Sequence, residues 1–194
     1  MEKRVLKHWI PIGDSKFKIK KDDTVIDIGA NIGTTVLSLS KNVGKEGNVI
    51  AFEPQNIMSQ CLQTNLTLND ITNVSVYTLG VSSKSGWANL NDSDFSEIGR
   101  YGEAGISEKG TRIKTIKLDE IEVDKCSLIK IDVDGNEYKI LQGGIKIFQT
   151  TELRSVYIEM IESLPDYEPI KNFLLENGFK LQFSSAISLF LIKP

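Results

Sequence analysis

Two short segments carry the side chains that could do chemistry. The first is Asp27-Ile28-Gly29-Ala30-Asn31-Ile32-Gly33, and the second runs from Lys130 through Asp132, Asp134 and Asn136 to Glu137. In the first, Gly29 permits a sharp turn and close backbone approach to a ligand, and Gly33 lets a following helix pack closely on the sheet. The start of that helix offers free N–H groups. Glu53 stands farther on, at the end of the next strand, where an acid can accept both hydroxyl protons of a ribose. The spacing is not that of a dinucleotide fingerprint, because Asp27 occupies the place of its first glycine. A pyrophosphate requires a bare, positive helix end. A carboxylate there suits a nucleoside that carries an ammonium and a sulfonium instead. The chemistry therefore points to S-adenosylmethionine. A nicotinamide-dependent oxidoreductase and a non-catalytic nucleoside-binding module are the alternatives.

The second segment supplies groups for the transfer itself. Methyl transfer from a sulfonium is an in-line displacement, and positioning the acceptor atom alone can contribute ~7–11 kcal/mol. A hydroxyl acceptor has a high pKa, so a base must take its proton. His8 is the only histidine and lies outside both segments. The candidates are then Asp132, Asp134, Glu137 and Lys130. Lys130, Asp132 and Asp134 alternate along a strand, so their side chains point the same way. A lysine within a buried strand requires a carboxylate partner. Asp132 is the first candidate for the base or acceptor-positioning group, with Lys130 and Asp134 beside it. Glu159, ending the next strand, forms a second wall. Three neighbouring acids could instead hold Mg²⁺. The run from Asp132 to Glu137 fails as a calcium loop, however, because Gly135 comes too early and a strand leads in; no metal ligands are assigned. Asn136 and Glu137 also suit a helix start, where an acid complements the dipole.

These groups need a scaffold, and hydropathy patterning supplies one. Thr24 to Ile28 and Val49 to Phe52 read as buried parallel strands, and Val74 to Leu79 as a third. Helical spacing follows the first two, through Val36, Leu39 and Val43 and through Met58, Cys61, Leu62 and Leu66. The alternation β-α-β-α-β implies a parallel sheet. Gly86 to Leu90 reads as a hairpin strand, and 91–110 as a polar, flexible loop on the acceptor side, with Phe95 and Tyr101 available to substrate. Ser127 to Val133 and Ser155 to Met160 are further buried strands. A helix between them breaks near Gly143-Gly144, and Asp166 caps another that ends at Gly178. Lys180 to Phe183 and Ser188 to Ile192 pair antiparallel at the sheet edge.

Composition narrows the class. The 194 residues carry a formal net charge of -3, which disfavours a nucleic-acid footprint, and the basic lead-in 1–21 reads as solvated surface. No run approaches the ~20 apolar residues of a membrane span, and no secretory leader is recognised. Cys61 and Cys126 read as small core residues in a reducing compartment. The expectation is one cytoplasmic domain over 1–194.

Thr24 to Pro54 resembles the first motif of class I S-adenosylmethionine-dependent methyltransferases, and is most similar to the FkbM type. Leu128 to Glu137, followed by Ile140-Leu141-Gln142-Gly143-Gly144, resembles that family's second signature, with Asp134 in place of the usual Glu. The resemblance runs from about Asp22 onward. It implies a doubly wound, mostly parallel seven-stranded α/β sheet with helices on both faces and a terminal antiparallel hairpin. It further implies that Asp27, Gly29 and Asn31 line the methionine part, that Glu53 holds the ribose, that Gly80 and Val81 lie near the adenine, and that Asp132 faces the reacting methyl. The acceptor it implies is a hydroxyl on a sugar or other small molecule.

Overall fold

The computed structural model describes residues 17–91, 105–185 and 188–194. Along the described chain run β1 (Thr24–Ile28), α1 (Thr34–Val43), β2 (Asn48–Phe52), α2 (Asn56–Leu68), β3 (Val74–Tyr77), β4 (Gly80–Val81), β5 (Gly86–Leu90), β6 (Ile106–Ser107), β7 (Thr111–Ile116), β8 (Leu128–Ile131), α3 (Glu137–Gln142), α4 (Ile145–Gln149), β9 (Ser155–Glu159), α5 (Tyr167–Glu176), β10 (Lys180–Ser185) and β11 (Ser188–Ile192). A seven-stranded sheet has the order β10-β11-β9-β8-β1-β2-β3. Its strands from β9 to β3 are parallel. β11 runs antiparallel between β9 and β10. The doubly wound sheet with a reversed terminal hairpin is therefore the architecture.

β1 has strand neighbours on both sides, and its Val25, Ile26 and Ile28 are closed to solvent. A strand buried on both faces needs β-branched side chains on both, which this run supplies. Successive residues then serve different layers. Val25, Val49 and Leu128 pack under α1 and α2 through Val36, Leu39, Val43 and Leu62. Ile26, Ile28, Ile129 and Ile131 pack on the other face against Ile140, Leu141, Phe148, Ile170 and Leu174. Each such side chain contributes about 1.5–3 kcal/mol relative to an exposed one. Asp27 and Lys130 share the face of Val25 and Leu128, so the alternation that builds the core also aims them at the same layer.

Several details differ from expectation. Within the stretch expected as loop, Ile106–Ser107 pairs with β5, within a second sheet ordered β4-β7-β5-β6. Strands of two residues have no readable period, which is why patterning passes over β4 and β6. Residues 92–104, with Phe95 and Tyr101, lie outside the described residues, as do His8 and most of the basic lead-in. Cys61 is exposed, because α2 turns Met58, Ser59, Leu62 and Leu66 inward and leaves position 61 on its outer side. Asp166 precedes α5 without a side-chain cap; only its carbonyl accepts the Ile170 N–H, at 2.9 Å. The break between α3 and α4 has a steric cause: a Cβ on Gly143 would lie 2.2 Å from the Ser82 carbonyl oxygen. Among the described residues, no helix is long and apolar enough to cross a membrane.

Candidate active site

Four parallel strands, β3, β2, β1 and β8, end on the same side, and the turn Gly29–Gly33 lies where β1 ends. The Gly29 and Ala30 N–H groups both donate to the Phe52 carbonyl at 3.0 Å, which folds the turn back over the tip of β2. Gly29 has φ +82°, and a Cβ there would lie 1.8 Å from the Asp132 carbonyl oxygen. Any side chain would push the tips of β1 and β8 apart. Asn31 also takes a positive φ, 50°, a conformation its short side chain tolerates by accepting the Ile32 N–H at 2.7 Å. Gly33 works differently from expectation. At φ +91° its missing Cβ makes room for Leu62 Cδ1, at 2.2 Å, so this glycine seats α1 against α2 rather than against the sheet.

Glu53 holds this turn. Its Oε2 accepts the Asn31 N–H and its Oε1 the Gln55 N–H, both at 2.8 Å. The side chain is buried, not a surface charge. Burial pushes its pKa above the usual carboxylate range, and the two amide donors partly offset that. Each oxygen keeps a further lone pair for a hydroxyl donor. Its second task, clamping the β1 turn to β2, has no signature in residue spacing.

Beneath the turn lies a line of three charges. Lys130 Nζ stands 3.0 Å from Asp27 Oδ1 and 3.1 Å from Asp132 Oδ2, and also donates to the Gly29 carbonyl at 3.4 Å. The parallel register places Asp27 directly beside Lys130. Asp27 is 0% exposed, whereas the Asp132 side chain is 43% exposed. The line thus runs from the closed interior to the mouth of the site. Burial raises the Asp27 pKa and the Lys130 ammonium counteracts it. Lys130 itself is pushed up, because two carboxylates outweigh its desolvation. It is held as an ammonium and has no lone pair to act as a base. Asp27, expected to line the methionine portion, is enclosed, and its charge reaches the mouth through Lys130. Among the described residues, Asp27 Oδ2 has no hydrogen-bond partner.

A cleft adjoins the turn, lined by Gly29, Phe52, Leu79, Gly80, Val81 and Val133 among others. Leu90, Ile106 and Ile113 of the small sheet close its far side, and Asp134 and Asn136 stand at its rim. Gly29, Gly80, Val81 and Asp134 are thus brought together in the cleft, while Asp27, Lys130 and Asp132 form the neighbouring charge line. Asp134 is exposed. Glu137 is buried, its carboxyl pushed up by desolvation, and it accepts the Gly135 N–H at 3.2 Å, so it braces the loop between β8 and α3. Glu159 is not among the residues that line this cleft. Among the described residues, no group of three His, Cys, Asp or Glu side chains is placed to hold a metal ion.

A family model described as "Methyltransferase FkbM domain" matches residues 27–181. Hexuronic acid methyltransferase AglP of Haloferax volcanii is 32% identical over 157 residues, which cover 77% of this chain and 59% of that protein. Methyltransferase sdnD of Sordaria araneosa is 24% identical over 192 residues, covering 81% of this chain and 73% of its own length. The crystal structure of methyltransferase FkbM from Methylobacillus flagellatus KT superposes with a TM-score of 0.66 at 20% identity, covering 88% of this chain and 44% of that one. The chain therefore spans little more than half of AglP and less than half of the Methylobacillus protein.

Proposed function

The chain belongs to the FkbM methyltransferase family, and from that premise we propose that residues 1–194 act as one S-adenosylmethionine-dependent domain that O-methylates a hydroxyl on a sugar or other small molecule. The observation that carries this is the placement of Asp132. Its backbone packs against the Gly29 turn while its carboxylate, steadied by Lys130, faces outward beside the cleft. A base is therefore positioned next to a turn whose Gly29 backbone lines the cleft.

The residues fit the cofactor on three counts. Gly29 lines the cleft with bare backbone. Glu53 presents an oriented carboxylate. The charge line carries two carboxylates against one ammonium, a net negative charge that suits a sulfonium. Gly29, Asn31 and Asp132 would hold the methionine part, Glu53 the ribose hydroxyls, and Gly80 and Val81 the base. The cofactor, when bound, supplies an electrophilic methyl group.

Every other task falls to the chain. The turn and Glu53 fix orientation, which is where most of the rate of an in-line displacement originates. Leu79, Val81, Ile106 and Ile113 line the cleft with apolar surface. Asp132 Oδ takes the proton from the acceptor hydroxyl, a contribution on the order of 10²–10⁴ in rate. Lys130 orients Asp132 and remains protonated throughout. The similarity to a protein named for methylating hexuronic acid supports a sugar as acceptor.

Calorimetric titration with S-adenosylmethionine, S-adenosylhomocysteine and NAD tests the cofactor. The expected result is binding of the first two only; binding of NAD alone would overturn the proposal. For the reaction, Asp132→Asn is expected to cut transfer to a sugar acceptor about 100-fold or more. Full turnover in that variant would remove Asp132 from proton transfer.

A further inference from the structure

The two faces of the small sheet differ in character. Ala88 stands opposite Ile113, and the alternation across β5 and β7 turns Leu90 and Ile113 toward the cleft. Trp87, Arg112 and Lys114 take the outer face: Trp87 stands directly opposite Lys114, and Arg112 lies two residues earlier on the same strand. Arg112 Cζ sits 4.4 Å from the centre of the indole and Lys114 Nζ 5.4 Å. With both cations in place Trp87 is still 57% exposed. Among the described residues, neither cation forms an ion pair. One ring–cation pair across two strands suffices to brace a hairpin. A second cation, about 7 Å along the same strand, adds like-charge repulsion instead. In a chain of net charge -3, the result is a local positive patch around an open ring, and an anion is what it lacks.

We propose that this outer face binds an acidic saccharide chain, one whose sugars carry carboxylates. A pyranose ring has an apolar C–H face and a polar rim. The indole offers the matching surface, an apolar plane with an N–H donor at its edge. Arg112 presents the planar fork that takes a carboxylate in two bonds, and Lys114 supplies a second point charge. Other polyanions match less of this surface. Single-stranded nucleic acid stacks successive bases on several rings, and Trp87 is the only aromatic residue in the four strands of the sheet. An acidic peptide would pair with the cations and leave the ring bare. The face lies on the far side of the sheet that walls the cleft, so its occupancy is separate from methyl transfer and does not depend on the cofactor assignment.

The full chain, without cofactor, is titrated calorimetrically at low salt with tetragalacturonate and with its fully methyl-esterified form. The acid is expected to bind with a dissociation constant of about 1 mM or below, and the uncharged ester at least about tenfold more weakly. Arg112→Gln/Lys114→Gln, at two exposed positions, should bring the acid to within about twofold of the ester. Trp87→Ala should weaken acid and ester alike, by about fivefold or more. Because that variant also loses a brace of the small sheet, its melting curve is recorded, and the native comparison and the charge variant decide the matter if it does not fold. Equal affinity for acid and ester, no binding of the acid at about 10 mM, or tighter binding of pentathymidylate or a blocked tetraglutamate of similar charge would overturn the proposal. The cluster would then be a brace for the small sheet or a site for a different polyanion.

Discussion

Replacing Lys130 with methionine removes the one ammonium between Asp27 and Asp132 while preserving the length of the side chain. Asp132 is 43% exposed at its side chain and can recruit water, but Asp27 is 0% exposed and, among the described residues, Lys130 at 3.0 Å is the cation that compensates its charge. Breaking a buried pair from one side typically costs about 3–5 kcal/mol, since an uncompensated charge is left behind. For a domain of this size, about 2–4 °C is lost per kcal/mol, so the melting temperature should fall by roughly 6–20 °C. The double variant Asp27→Asn/Lys130→Met removes both buried charges and should recover at least about 2 kcal/mol of the loss. Urea denaturation at pH 7 of the native protein, the single variant and the double variant reads these differences. The deficit of Lys130→Met should also shrink on acidification. With no ammonium beside it, burial raises the folded-state pKa of Asp27 still further above its unfolded value of about 3.9. A carboxyl whose pKa is raised on folding contributes stability fully below its unfolded pKa and loses it as pH rises through the folded one. The single variant should therefore lie nearer the native protein at pH 4 than at pH 7.5. A loss below about 1 kcal/mol, or a double variant no better than the single, would refute the claim that Lys130 exists to neutralise Asp27.

Gly29→Ala forces φ +82° on a residue with a Cβ and places that atom 1.8 Å from the Asp132 carbonyl oxygen; a stability loss above about 2 kcal/mol and loss of detectable S-adenosylhomocysteine binding are expected by denaturation and calorimetry. Glu53→Ala removes the ribose acceptor and frees the Asn31 and Gln55 amides, so affinity for S-adenosylhomocysteine should fall at least about tenfold; unchanged affinity would undo the ribose assignment. Burial pushes the Cys126 thiol up to about 12 whereas Cys61 is exposed, so a thiol reagent at pH 8 should label one cysteine per native chain and both in denaturant.

The elements of the candidate site were largely legible because their spacing obeys local rules. A glycine-bounded turn after Ile28, an acid after Phe52 and an alternating Lys130-Asp132 pair each follow from two-residue or turn periodicity. The pairing of Lys130 was legible only as a requirement for some carboxylate. Which one depends on the β1–β8 register, a long-range fact with no local trace. The small sheet was legible only in part, through the strand Gly86 to Leu90, because β4 and β6 have two residues each and give no period. Cys61 and Gly33 failed for a related reason: which side of a helix faces inward depends on what packs there, and Leu62 settles both. The bond from the Asn136 amide to the Val81 carbonyl could not be anticipated either, since a residue suited to opening a helix gives no sign of it.

The contact at the centre of the site also bears on how the protein reaches its fold. Asp27 and Lys130 are 103 residues apart in sequence, yet adjacent strands bring them into register. Closing a chain segment of that length costs roughly 4 kcal/mol of entropy before any contact rewards it, and contacts of such separation slow folding. The parallel β1–β2 and β2–β3 pairs span far shorter stretches and can assemble sooner. The half that carries the glycine turn and Glu53 can thus take shape ahead of the half that carries Asp132, and the charge line closes when β8 docks. Refolding followed by a probe on the β1–β2 turn and by another at Asp132 would resolve these as separate events in time, with joining of the two halves as the slow step.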